Sequence, residues 1–382
     1  MPLQPERLAD TFVRLCEIDS PSRREGRLAA FLRGLFATEF KAQILEDASA
    51  AATGSDTGNL VVRIGGDREL PPLFFNCHLD TVEPARGVRV HRSGDTFTSA
   101  GATVLGADDK AGIAMLVELA RSLKEDGGLR PPLEFIFTTC EEIGLLGAKN
   151  LDFRLLRAPA GFALDSAGID LAVIAAPASN HFTARVHGLA AHAGLHPEKG
   201  ISAIQLVAQA IAGLPLGRLD PESTANIGLI GGGKATNIVP ELAWVEGEVR
   251  SHSPEKLARH TAAIEEHFRQ VLVRHGSLPA PVVAPSGYSA RLEFDFVEQF
   301  PAMLLADHAP PVARLRQAAT LLNRPLAYTV AGGGSDANIF NDRGFPTAIL
   351  GIGMTDVHTT DESITLTSMV RTTQLLRALL AV

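Results

Sequence analysis

The sequence of 382 residues predicts an α/β fold: a mostly parallel, mixed sheet with helices on both faces, interrupted by an inserted α+β domain. Three observations lead there. Short apolar runs alternate with helix-period stretches up to about residue 165 and again after about residue 300. Several of those runs end in an acid or an imidazole. Between about residues 179 and 299 the order becomes β-α-β-β-α-β, which describes a four-stranded sheet with two helices on one face. The expected domains are therefore 1–178 with 300–382, and 179–299 inserted between them.

Each element follows from local pattern. Leu8, Phe12, Val13 and Leu15 recur at helical spacing, and residues 25–40 repeat the pattern, so both read as helices. Residues 43–45 and 59–64 read as strands, and Gly65-Gly66-Asp67 turns the chain. After Pro71-Pro72 an apolar run begins at Leu73 and ends in His78-Leu79-Asp80. Alternate strand side chains share a face, so His78 and Asp80 point the same way and Cys77 points away. A carboxylate so placed can hold one imidazole nitrogen and leave the other for a metal.

Asp108-Asp109 precedes a helical stripe of Ile113, Leu116, Val117, Ala120 and Leu123, which Gly127-Gly128 stops. One aspartate can cap that helix; a cap has no use for the second. The strand at 133–140 runs into Glu141-Glu142-Ile143-Gly144, and the strand at 162–164 ends in Asp165. Strands separated by helices make a parallel sheet, and ligands bind beyond the carboxyl ends of such strands. Asp80, Asp108, Glu141, Glu142 and Asp165 are thus expected at one edge. Two carboxylates about 5 Å apart repel by roughly 3 kcal/mol at an effective dielectric near 20. A pair of divalent cations removes that repulsion, and a mixed imidazole and carboxylate shell suits zinc, with cobalt and manganese as alternatives.

The bulk properties exclude other classes. A net charge of −8 argues against nucleic acid as a partner. No apolar run reaches the roughly 18 residues that span a bilayer, so no membrane partner is expected. The first residues lack a basic stretch followed by an apolar core, and the 3 cysteines are widely spaced, which together point to a cytoplasmic protein with reduced thiols.

In the insert, Gly228 to Ala235 nearly spells a phosphate-binding loop, but Ala235 stands where a hydroxyl would hold magnesium and no helix pattern follows. His192, between Ala and Gly in a loop, has little packing to explain it and is a candidate to face a ligand. His181, His187, His196, His252, His260, His267, His275 and His308 have no such context. A Pro-rich loop is expected around 279–285. Beyond the insert, residues 310–322 read as a helix, Gly332-Gly333-Gly334 opens a loop into a short helix, 347–352 is a buried strand, and His358 follows it. The last helix spans about 363–380.

Taken together, His78-Leu79-Asp80, Gly106-Ala107-Asp108-Asp109-Lys110, Glu141-Glu142-Ile143-Gly144, Asp165, Ala191-His192-Ala193-Gly194 and Val357-His358 resemble the co-catalytic zinc metallopeptidases that include peptidase T, aminoacylase and succinyl-diaminopimelate desuccinylase. Gly106 to Gly112 and the glycine loop before Asp336 look most like peptidase T. The resemblance implies a metal-dependent hydrolase of short peptides. It implies that His78 and Asp165 hold one metal, Glu142 and His358 the other, and Asp108 both. It further implies that Glu141 is the general base, that Asp80 orients His78, and that His192, Asn237 and Arg250 contact substrate. The insert would be a lid or dimerisation domain, with a homodimer through it. Two alternatives stay open: an N-acyl amino acid deacylase or carboxypeptidase with the same site, and a non-catalytic metal-binding protein of this fold. Glu141 argues against the last, because binding alone has no need of a base.

Overall fold

The run from Leu73 forms a strand, Leu73–His78, in which every residue is buried. In the computed structural model, which describes residues 3–67, 69–128, 130–277 and 288–382, it lies at the middle of a 9-stranded sheet. Leu133–Thr138 and Gly161–Ser166 pair with it in parallel on either side, and Thr347–Gly351 pairs in parallel with Gly161–Ser166. Strands buried on both faces read as continuous apolar runs, which is why the central four are legible in sequence. The flanks are mixed. Leu60–Ile64 and Gln43–Glu46 extend one side in antiparallel fashion. Leu171–Ala176 extends the other, with Met303–Leu304 antiparallel and Ala327–Val330 parallel to it.

The period-2 alternation sorts side chains onto two faces. Leu73, Phe75 and Cys77 enter the large core with the helices Pro5–Cys16, Ala107–Asp126 and Leu366–Leu380. Phe74 faces the other way and stacks on Phe340 of the short helix Asp336–Asp342. Ala163 and Ile349 join Ala337 of that helix in a smaller cluster. Helices therefore cover both faces, and the four parallel carboxyl ends share one edge. A small sheet of Val90–Ser93, Thr96–Ser99 and Ser363–Thr365 was not foreseen, because its half-exposed polar residues carry no apolar run.

The chain divides into two compact units, residues 1–176 with 303–382, and 177–302. The second holds 5 antiparallel strands in the order Gly217–Asp220, Ser223–Gly232, Leu242–Ser251, Ala178–His187, Arg291–Phe300. The expected four-stranded sheet thus gains an edge strand, Gly217–Asp220, too short and polar to stand out in sequence. Helices Ala203–Gly213 and Pro254–Ser277 pack on the sheet through Leu206, Val207, Leu257 and Phe268 against Phe182, Ala184, Val186 and Val245. Gly228 to Gly232 lie within a strand and Lys234 pairs with Glu241, so no phosphate-binding loop forms. The loop expected at 279–285 lies outside the described residues.

Candidate metal centre

His78 ends one central strand, Asp165 lies in the next, Glu141 and Glu142 follow the third, and His358 follows the fourth. Asp108 precedes the body of the helix Ala107–Asp126. The Nε2 atom of His78 is 2.9 Å from one oxygen of Asp108 and 3.8 Å from Asp165. The Nε2 atom of His358 is 3.3 Å from the other oxygen of Asp108 and 3.1 Å from Glu142. One carboxylate therefore faces two imidazoles, one with each oxygen. Ligand-type atoms lie within 4.8 Å of one another in three overlapping groups: His78, Asp108 and Asp165; Asp108, Glu142 and His358; and His78, Glu141 and Glu142.

Backbone geometry puts Asp108 there. Gly106 adopts a left-handed φ of +78°, which glycine takes without a side-chain clash. Asp108 and Asp109 keep non-helical angles, and neither caps the helix, contrary to the expectation for one of them. Both carboxylates are used elsewhere. Asp108 faces the imidazoles, and Asp109 accepts the backbone N–H of His78 at 3.2 Å. Glu362, buried four residues beyond His358, accepts the N–H groups of Gly106 and Asp108 at 2.8 and 2.9 Å. Sequence reasoning missed Asp109 and Glu362 as parts of this site. A carboxylate that holds backbone amides follows no spacing rule, so only their presence beside the motifs was a signal.

Asp80 is fully buried, and its main chain lies nearer His78 than its carboxylate does. The Nδ1 atom of His78 lies 2.9 Å from the main-chain carbonyl oxygen of Asp80, while the Asp80 carboxylate is 3.7 Å away. That carboxylate is occupied by three donors: the Ser22 hydroxyl at 2.6 Å and the N–H groups of Glu141 and Glu142 at 2.9 and 3.2 Å. Asp80 thus orients His78 through its backbone and the two glutamates through its side chain.

The protein alone leaves this charge poorly balanced. Burial, then the neighbouring Asp165 charge, pushes the Glu141 carboxyl well above the ordinary range. Burial and the Asp108 charge do the same to Asp165. Burial opposes a charge on His78, but Asp108 and Asp80 beside it overcome that and hold its imidazole well above the usual value. The carboxylates of Asp108 and Glu142 push His358 up to about 10. Burial works against the Asp108 charge too, yet the two imidazoles hold its carboxyl well below the ordinary range. The donor set of imidazole nitrogens and carboxylate oxygens fits divalent metal.

Residues 74–382 match peptidase family M20/M25/M40. The chain belongs to this family. It is a hydrolase of the metallopeptidase class. YqjE of Bacillus subtilis, an uncharacterized protein, is 35% identical over 376 residues, covering 98% of each chain. The crystal structure of aminopeptidase PepT from Bacillus cereus superposes with a TM-score of 0.88 at 36% identity, covering 99% of this chain and 98% of that one. A tripeptidase from Staphylococcus aureus gives 0.91 at 32% identity, covering 100% and 98%. A dinuclear metal binding peptidase of the family from Bacillus subtilis, at 19% identity and a TM-score of 0.70, shares the fold. Among the described residues, no helix is long and apolar enough to cross a membrane.

The three other candidates lie in the second unit. His192 is exposed, and its Nδ1 atom accepts the N–H groups of Gly194 and Leu195, each at 3.2 Å. The Asn237 carbonyl accepts the N–H of Ala193 at 2.9 Å, so these two loops are brought together. Arg250 is not brought with them. It lies eight residues along the strand Leu242–Ser251 from the end nearest those loops, about 27 Å at 3.4 Å per residue. It pairs with Glu248 at 3.0 Å.

Proposed function

We propose that the chain is a two-metal aminopeptidase of short peptides, tripeptides foremost. The observation that carries this is Asp108, whose two oxygens face separate imidazole and carboxylate groups with Glu141 beside them. The likeness to PepT and to the tripeptidase over the whole chain supports the substrate class. In this reading His78 and Asp165 hold one cation, Glu142 and His358 the other, and Asp108 both. Zinc suits that donor set best, with cobalt or manganese able to replace it. Bound there, divalent cations would bring the pKa of water from about 16 toward 7, polarise the scissile carbonyl and neutralise the carboxylates around Glu141.

The side chains have distinct tasks. Glu141 accepts a proton from the attacking water and returns it to the departing amine nitrogen. Two adjacent glutamates divide the work: Glu142 ligates and Glu141 stays free to move the proton. Asp80 holds His78 and the amides of both glutamates in place. His192, whose Nδ1 accepts from backbone amides and so leaves the proton on Nε2, donates to the developing oxyanion. Asn237 binds polar groups of the substrate, while Arg250, about 27 Å along the strand from that loop and paired with Glu248, does not reach the same short peptide within one chain. The second unit serves as lid and as the contact of a homodimer, and the protein works in the cytoplasm.

A panel of free tripeptides, N-blocked tripeptides and N-acetyl amino acids tests the substrate class. Free tripeptides should lose their N-terminal residue at least about 100-fold faster, by kcat/KM, than either blocked class is cleaved; at 1.4 kcal/mol per tenfold, that is about 2.8 kcal/mol of transition-state discrimination. Preference for N-acetyl amino acids would make the chain a deacylase, and release of C-terminal residues from blocked peptides would make it a carboxypeptidase.

A further inference from the structure

The segment from Thr139 to Glu142 leaves the sheet after Leu133–Thr138 and loses its ladder partners while staying largely buried. Buried backbone amides need acceptors. Here all four consecutive N–H groups find them on side chains from remote parts of the chain. Thr139 donates to the Asn59 side-chain oxygen at 3.0 Å. Cys140 donates to Glu25 at 2.9 Å. Glu141 and Glu142 donate to the two oxygens of Asp80. Asp80 is part of a motif; Glu25 belongs to none of the motifs and has no assigned role.

Glu25 is unusual for its position. It stands immediately before the helix Gly26–Phe40, where an acid ordinarily caps its own helix, yet its side chain makes no cap bond. Asp56 takes the Gly26 N–H instead, at 2.7 Å. The fully buried Glu25 carboxylate accepts from the Ser55 hydroxyl at 2.5 Å with one oxygen. The other oxygen accepts from the N–H of Arg23 at 3.0 Å and from that of Cys140, 115 residues away.

What it holds matters for the site. Cys140 has a left-handed φ of +53°, a conformation that side chains other than glycine rarely adopt. Neighbours in an extended strand point to opposite faces, but Glu141 and Glu142 both join His78 in one group within 4.8 Å. The turn at Cys140 makes that convergence. We infer that Glu25 is a positioning residue for the hydrolysis, which holds Cys140 in the left-handed turn so that adjacent Glu141 and Glu142 reach the same centre. This rests on the proposed reading only in giving those glutamates work at a metal centre.

The role needs an acceptor at the right reach, not a charge. Glu25→Gln keeps the reach and an acceptor oxygen. Glu25→Asp keeps the charge but withdraws the oxygen by one methylene. Each protein is compared with the parent by thermal melting, by the visible spectrum during cobalt(II) titration of the chelated protein, and by kcat and KM on a free tripeptide. Glu25→Gln should stay within about threefold of the parent in kcat and in cobalt affinity. Glu25→Asp should lose about 10- to 100-fold in kcat with KM within twofold, and bind one of two cobalt equivalents about 10- to 100-fold more weakly with an altered spectrum. Parent behaviour in Glu25→Asp overturns the inference, as does a Glu25→Gln protein that melts like the parent but is as impaired as Glu25→Asp. If the parent cleaves no peptide, the proposed function falls, while the cobalt titration still decides the role of Glu25.

Discussion

Glu141→Gln lowers kcat on a tripeptide by about 10³-fold while the protein keeps its full complement of metal. The magnitude is that of a general base removed from a reaction whose other parts remain, which spans about 10²- to 10⁴-fold. The substitution is isosteric, and the Glu141 backbone N–H keeps its bond to Asp80. Neither cluster that contains Asp108 includes Glu141, so ligation through them survives. KM should move little, because the lost interaction belongs to the transition state. Metal content by elemental analysis, measured on the same preparation, separates loss of the base from loss of the cations. Hydrolysis at the parental rate with metal intact would remove Glu141 from the proton path.

Asp108→Ala has the larger effect. It deletes one oxygen from each of two ligand groups at once, whereas Asp165→Ala weakens one. Outer partners of metal ligands alone are worth 10- to 100-fold in affinity, so a shared ligand should cost each cation on the order of 100-fold or more. It also leaves the imidazoles of His78 and His358 without the carboxylate that faces them at 2.9 and 3.3 Å. Bound metal should fall from two equivalents to below one after gel filtration, with activity undetectable. An Asp108→Ala protein that retains both equivalents would contradict the shared-ligand role.

The sequence made the centre of the fold readable for a physical reason. Leu73–His78 and Leu133–Thr138 are buried on both faces, so they are mostly apolar apart from Asn76 and Glu134, and the imidazole and acids at or just after their ends mark the carboxyl edge of the sheet. The edges were harder: Gly217–Asp220 and Val90–Ser93 are half-exposed and polar, and packing imposes little pattern on them. Within the site, residues at strand ends could be foreseen, but the division of labour between Asp108 and Asp109 could not. It depends on which carboxylate meets an imidazole and which meets the His78 amide. The same holds for Glu25, Asp80 and Glu362. Their side-chain oxygens serve backbone N–H groups, and a backbone amide looks alike at every position in a sequence.

The central claim is that imidazoles and carboxylates from residue 78 to residue 358 converge on two cations that share Asp108. Anomalous scattering from a crystal of the metal-loaded protein, collected on both sides of the metal edge, tests it most directly. The account predicts two peaks per chain, one among His78, Asp108 and Asp165 and the other among Asp108, Glu142 and His358. A single peak, or two peaks of which either lacks Asp108, would contradict it.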